Sequence, residues 1–391
     1  MALTGVFPNV GEEIEKGPLT LVKCDDSEST SNCGLLQLNH NYQLEKLYGE
    51  NYGYRSGLNR SMVSHLQGIV SQIKSRINLE KGDLVLDIGS NDGTLLGSYG
   101  LDDITLVGMD PTIKKFGMYY KNGINKIPDF FGSELFKKHF KDKKAKIVTS
   151  IAMFYDLEHP IDFMAQVYEI LEDDGVWVLE QSYMPRMIDN VSYDTICHEH
   201  TEYYAVRQIS WMVEKIGFKI IDIELNEANG ASFRVTLAKK KSPLRENKEM
   251  VGAIIKAEDA RHLEKPETYN QFKKDVFVQN DELIKFVRKV KKDGKTIYGY
   301  GASTKGNVIL QLAGLTKKDL PAIAEVNDYK FGRLAPGTDI PIRPEKEIKE
   351  LKPDYLLVLP WHFKDNILGK EQEYLDSGGH LVFPIPKIEV I

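Results

Sequence analysis

Val85-Leu86-Asp87-Ile88-Gly89-Ser90-Asn91-Asp92-Gly93-Thr94-Leu95 is the stretch on which the fold turns: an apolar run that ends in an acid and enters a turn with two glycines. A buried strand of this kind delivers backbone to the carboxyl edge of an open α/β sheet, where such folds bind ligands, and glycine permits the close approach. Only Gly89 and Gly93 are present, so the turn departs from Gly-x-Gly-x-x-Gly. The tight cradle for a pyrophosphate is incomplete, and a cofactor without phosphate fits better. One strand later, Val107-Gly108-Met109-Asp110-Pro111 sets an acid 21 positions beyond Gly89 (110 minus 89). That matches the roughly 20 residues between a glycine turn and the acid that takes ribose hydroxyls, although a strand-end Asp also serves as a helix cap. Asp87, Gly89, Asn91, Asp92, Gly93, Asp110 and Pro111 are the expected cofactor residues.

Outward from this turn, short apolar runs at 84–88, 105–109, 146–151, 176–179, 219–223 and 233–238 alternate with helical spacing. This is the rhythm of a mainly parallel sheet covered by helices. The last two runs flank Asn229-Gly230 and read as an antiparallel hairpin, and Val63, Leu66, Val70, Ile73 and Ile77 predict an amphipathic helix ahead of the first strand. Charged residues dominate 239–295, where Ile254, Ile255, Phe272, Val276, Leu283, Phe286 and Val290 suggest one or two long helices. The alternation restarts at Thr296 and continues through 322–324, 355–359 and 380–383. The expected organisation is an α/β chain: an N-terminal accessory segment over 1–61, a Rossmann-like domain over 62–240, and a helical arm with a second Rossmann-like domain over 241–391.

The 391 residues, 42% hydrophobic and 28% charged, are ordinary for a globular chain of two or three units. A net charge of −6 supplies no field to attract nucleic acid. No apolar run approaches the roughly 18 to 20 residues of a membrane span, and the first residues lack a signal-peptide layout, so a cytoplasmic enzyme is expected. Three cysteines, Cys24, Cys33 and Cys197, set aside a disulfide framework.

The densest chemistry lies in Asp194-Thr195-Ile196-Cys197-His198-Glu199-His200-Thr201-Glu202-Tyr203-Tyr204, after a strand and at the ligand edge of the sheet. His198, Glu199 and His200 read as an acid/base cluster, with a structural polar cluster as the alternative. The spacing is not His-Glu-x-x-His, so a zinc hydrolase is weakly supported. Tyr52-Gly53-Tyr54-Arg55 is a second aromatic and polar cluster, suited to hydrogen-bonding a substrate or, in the plainer reading, a surface loop. Gly299-Tyr300-Gly301-Ala302-Ser303-Thr304-Lys305-Gly306-Asn307 is a glycine turn whose amides and Lys305 suit a diphosphate. A nicotinamide nucleotide is the rival ligand there, with Glu325 as its ribose acid.

Taken in order, Cys33 to Leu38, Tyr52 to Asn59, the Asp87 turn, Asp110-Pro111-Thr112, Asp194 to Tyr204 and Gly299 to Asn307 resemble the bacterial sugar C-methyltransferases that act on nucleotide-linked deoxysugars, over nearly the whole chain. The resemblance implies a class I methyltransferase domain using S-adenosyl-L-methionine, a C-terminal Rossmann-like domain that helps hold a nucleotide-diphosphate sugar, and methylation of a carbon beside a ketone, C3 next to C4. It implies that His200 is the base, and that Glu199 and Tyr52 or Tyr54 contact the substrate or the enolate. Tyr203, Tyr204, Arg55, Gly301, Ser303, Lys305 and Asn307 are the substrate residues expected on this reading. The chain departs from the family in having Cys197 where a tyrosine precedes His-Glu-His. It also has Met153-Phe154-Tyr155-Asp156 where a histidine often follows the fourth strand, and Asp156 is placed with the cofactor residues. The family's four-cysteine N-terminal zinc site is represented only by Cys24 and Cys33, so no metal is expected. A monomer or weak dimer is the expected state. An O- or N-methyltransferase of a small metabolite, a nicotinamide-dependent oxidoreductase and a non-catalytic nucleotide-sugar binder are the alternatives.

Overall fold

The computed structural model describes residues 1–25, 32–48, 52–100 and 103–391, so parts of the expected 1–61 segment lie outside the described residues. Seven strands form the first large sheet: β1 (Leu84–Ile88), β2 (Thr105–Met109), β3 (Asn125–Ile127), β4 (Ala145–Ile151), β5 (Leu171–Ser182), β6 (Phe218–Asn226) and β7 (Ser232–Lys239). Their order is β3-β2-β1-β4-β5-β7-β6. The first five strands pair parallel, and β7 runs antiparallel to both β5 and β6, which is the class I methyltransferase arrangement. Every residue of β1 is buried, as expected for a strand covered on both faces. The hairpin read around Asn229-Gly230 is present, with β7 inserted between β5 and β6.

Helix α1 (Arg60–Arg76) leads into this sheet, its first turn capped by the Asn59 side chain and its apolar stripe of Met62, Leu66, Ile69, Val70 and Ile73 buried. The charged arm is two helices, α2 (Lys248–Asp259) and α3 (Pro266–Lys292). A second sheet follows, of β8 (Ile297–Tyr300), β9 (Ile323–Glu325), β10 (Ile342–Pro344), β11 (Tyr355–Val358), β12 (His380–Phe383) and β13 (Glu389–Val390). Its order, β10-β9-β8-β11-β12-β13, is parallel except at β13 and doubly wound. Helix α4 (Thr304–Leu312) leaves the glycine turn after β8, with Ser303 accepting at its N-cap from the Gly306 amide at 3.0 Å.

The N-terminal segment is built into both halves. Strand Leu36–Leu38 pairs on one side with Leu21–Lys23 and on the other with Glu202–Tyr203, binding the segment to the acid/base loop of the first domain. Residues 2–8 run along the second domain: Ala2 N donates to Gln311 Oε1 at 2.8 Å, Asn307 Nδ2 to Thr4 O at 2.7 Å, and Arg333 Nη1 to Phe7 O at 2.8 Å. Among the described residues no helix is long and apolar enough to cross a membrane.

Candidate active site

A cavity of about 470 Å³ opens at the carboxyl ends of β1, β2 and β4, and all three parts of the chain wall it. Of the residues expected at the cofactor, Asp87, Gly89, Asn91, Asp110, Pro111 and Asp156 line it, with Ile88, Met109, Phe130, Phe131 and Met153 as apolar wall. Gly89 holds φ at 73° and a Cβ there would lie 3.0 Å from Met153, so this glycine is demanded by both backbone and space. Asp110 accepts from the Asn91 amide at 2.8 Å on Oδ2 and from the Thr112 amide at 2.6 Å on Oδ1. It is therefore a turn cap, yet each oxygen keeps a lone pair for a further donor. Asp87 accepts from Thr149 Oγ1 at 2.5 Å, and burial, reinforced by Asp110, pushes its carboxyl up to about 7. Buried carboxyls beside a broad apolar wall, with no phosphate cradle, fit a nucleoside that carries a cationic end, as S-adenosylmethionine does.

The second half of the glycine turn does something else. Asp92 accepts from the Gly57 amide at 2.8 Å and from Thr94 N and Oγ1 at 3.2 and 2.6 Å. A Cβ on Gly93 would meet the Tyr120 ring at 2.8 Å. Asn91 Oδ1 accepts from the Ser56 amide at 2.9 Å. Asp92 and Gly93 do not line the cavity; they dock the loop that brings Tyr52 and Tyr54 to its wall. Arg55 is off the cavity too, its guanidinium 3.9 Å over the Tyr119 ring and 3.8 Å from Asp92.

The histidine pair separates into two roles. His198 is fully buried, with Nδ1 at 3.3 Å from Thr4 Oγ1, Nε2 at 3.3 Å from Gly17 O, and Tyr42 edge-on at 4.8 Å. It is a core polar group and does not line the cavity. His200 does, its ring 4.2 Å from that of Tyr155. His200 Nδ1 lies 2.8 Å from Thr195 O; a carbonyl only accepts, so Nδ1 carries the proton and Nε2 holds the lone pair. Burial, and then the Lys305 cation, pull its pKa down to about 3, so the ring is neutral at ordinary pH. Glu199 accepts from Thr4 Oγ1 at 3.1 Å and presses against Gly5, where a Cβ would sit 1.8 Å from its Oε1.

From the second domain come Ser303, Thr304, Lys305 and His362. Lys305 Nζ donates to Asn229 O at 2.7 Å, across to the hairpin of the first domain. Gly301 packs on Pro360 and Asn307 is buried against the N-terminal strap, so neither reaches the cavity. Tyr203 donates to His200 O at 3.0 Å and Tyr204 to Glu202, both from within the core. Glu325 is spent on its own turn, accepting from Ala302 N at 2.9 Å, Val326 N at 2.7 Å and Asn327 N at 2.9 Å, with Lys330 at 3.8 Å. Glu325 does not line the cavity. Among the described residues no group of three or more His, Cys, Asp or Glu is placed to hold a metal, and Cys24 and Cys33 are free thiols.

Thr4, Gly5, Tyr48, Tyr155, Asn229 and His362 are site residues that motif reading passes over. Tyr155 had a signal, standing in the quoted Met153–Asp156 stretch at a strand end. Asn229 was read only as a hairpin turn, and Thr4, Gly5, Tyr48 and His362 sit in no recognisable pattern and reach the site through the docking of the N-terminal segment and the second domain.

Residues 62–223 match the family described as methyltransferase domain, and 227–386 the family described as C-methyltransferase C-terminal domain. The chain is 29% identical over 391 residues to the C-methyltransferase NovU of Streptomyces niveus, covering 98% of this chain and 90% of that protein. Among solved structures, the plantazolicin methyltransferase BpumL aligns over 45% of this chain and 82% of its own at TM-score 0.36 and 14% identity. The cyclopropane synthase MmaA2 of Mycobacterium tuberculosis aligns over 44% and 83% at TM-score 0.35 and 15% identity.

Proposed function

Because the chain belongs to the S-adenosylmethionine-dependent C-methyltransferases, its acceptor carbon must first be made nucleophilic, and we propose that this carbon lies beside the ketone of a nucleotide-linked deoxysugar, C3 next to C4. The observation that carries the reading is His200: a neutral imidazole on the cavity wall, anchored through Nδ1 so that Nε2 is its acceptor, in the same cavity as Asp87, Asp110 and Lys305. An O- or N-methyltransferase has no need of a base for a carbon-bound proton. Asp87 and Asp110 would hold the cofactor, which supplies an electrophilic methyl group. Lys305, with Ser303 and Thr304 at the start of α4, suits the diphosphate of the acceptor. The same cation depresses His200. A diphosphate seated on Lys305 offsets it, raising the basicity of His200 toward the range in which proton abstraction is efficient.

The test is incubation with S-adenosylmethionine and a panel of dTDP-, GDP- and CDP-linked 4-keto sugars, read by mass for the gain of one methylene. His200→Ala and His200→Asn are expected to abolish turnover with cofactor affinity within about twofold, since the ring touches no expected cofactor residue. Methyl transfer by either variant at the wild-type rate rejects the base assignment.

A further inference from the structure

Removing a proton beside a ketone builds negative charge on the ketone oxygen, and an acid must meet that charge. Glu199 also lines the cavity with its Oε1 unpartnered, but that oxygen is pressed against Gly5, where a Cβ would stand 1.8 Å away, and its Oε2 is an acceptor for Thr4, so the carboxyl is held toward the N-terminal strap. Asp156 is different. It ends the turn after β4, lines the cavity, and is 8% exposed. Its Oδ2 accepts from the Tyr48 hydroxyl, and its Oδ1 has no hydrogen-bond partner. Tyr48 and Tyr52 pack at 5.1 Å between ring centroids and wall the same side of the cavity.

We propose that Asp156, oriented by Tyr48, is the acid that protonates the ketone oxygen of the acceptor while His200 removes the proton from the adjacent carbon. The assignment rests on the keto-sugar reading above. In the step, the C–H bond breaks and its proton goes to His200 Nε2. The C–H electron pair becomes the C=C bond, the carbonyl π pair moves to oxygen, and oxygen takes the proton from Asp156 Oδ1, leaving an enol, an aspartate and an imidazolium. With the tyrosine hydroxyl donating to Oδ2, that oxygen is the acceptor of the pair, so in the neutral carboxyl the proton sits on Oδ1. Burial first, and then the charge of Glu199, hold the Asp156 carboxyl well above the usual range, with the Tyr48 hydrogen bond pulling the other way. A buried neutral carboxylic acid donating to a developing oxyanion is a known device of enolising enzymes.

The step is read without methyl transfer, as exchange of the acceptor-carbon hydrogen for deuterium in D₂O, with S-adenosylhomocysteine present and a nucleotide-linked 4-keto sugar as probe. Cofactor affinity, measured by calorimetry, reports separately on folding and on any contact of Asp156 with the cofactor. Asp156→Ala is expected to slow exchange by about 100-fold or more, the range for a lost acid or base, with cofactor affinity within about twofold. Asp156→Asn keeps an N–H donor and is expected to retain more exchange than Asp156→Ala. Tyr48→Phe, a positioning change, is expected to fall between Asp156→Ala and the wild type. Wild-type exchange in Asp156→Ala, or intact exchange with cofactor affinity weakened about tenfold, overturns the proposal. Failure of the wild-type enzyme itself to exchange any probe overturns the keto-sugar reading, and the acid falls with it.

Discussion

Gly5 is the residue on which the site is least forgiving. A Cβ at this position would stand 1.8 Å from Glu199 Oε1, far inside contact distance, and the glutamate is already fixed on its other oxygen by Thr4. Gly5→Ala is therefore expected to displace Glu199 and lower kcat by about tenfold or more, as misplacement of site groups does. On the proposed assignment Gly5 stands beside the acceptor, so cofactor affinity should be unchanged. Steady-state kinetics beside calorimetric titration check it, and an unchanged kcat removes Glu199 from the acceptor site. A second prediction concerns Asp87, whose folded-state pKa is raised to about 7. A cationic cofactor favours the ionised form, so binding releases protons, and affinity is expected to weaken as pH falls below about 7, approaching tenfold per unit. A pH-independent dissociation constant between about pH 5 and pH 8 contradicts it. Asp87 and His200 were readable because motif and chemistry coincide in the chain. Gly5 was not, because its partner is 194 positions away and only the closed strap brings the two together.

The glycine turn reads from sequence as one cofactor-binding element, yet the folded chain divides it in two. Gly89 and Asp110 face the cavity, whereas Asp92 and Gly93 are turned to the 52–59 loop and the Tyr120 ring. Asp92→Ala removes the acceptor for the Gly57 amide and loosens the loop that carries Tyr52 and Tyr54. The expected result is a several-fold rise in KM for the acceptor with a smaller effect on the cofactor, in line with the loss of hydrogen bonds to a charged group. If cofactor affinity falls more than acceptor KM rises, Asp92 belongs to the cofactor after all. The strands that sequence located well are either buried along nearly their whole length, as β1 and β2 are, or long, as the β6–β7 hairpin is, so their apolar runs stand out. The short edge strands β3, β10 and β13 carry two or three residues with at least one exposed and have no period to read; sheet pairing alone defines them. Residues Asp194 to Tyr204 form little regular structure, so their shape came from chemistry and not from propensity.

At the scale of the molecule, the cavity exists only because three parts of the chain are tied across it. Trp361 Nε1 donates to Asp194 Oδ2 at 2.7 Å, Lys305 donates to Asn229 O, and Asn307 donates to Thr4 O, all between segments remote in sequence. The alternation along the chain reads as two Rossmann-like units, each with its own sheet; their docking is tertiary and left no periodic trace. Asp194 is fully buried with Oδ1 unpartnered; burial pushes its carboxyl up, and the Lys305 cation and then the indole N–H favour its charged form. Trp361→Phe keeps the apolar bulk and removes that donor, which is expected to cost about 1–3 kcal/mol. If the halves fold as one unit, calorimetry of the wild type gives a single transition. Cofactor at a hundredfold excess over its dissociation constant then adds about 2.7 kcal/mol to the whole of it, although the residues proposed to hold it belong to the first domain. Trp361→Phe should lower the midpoint of that single transition and leave the cofactor increment in place. Two transitions in the wild type, with only one moving on cofactor addition, would mean that the second domain closes the cavity as an independent body.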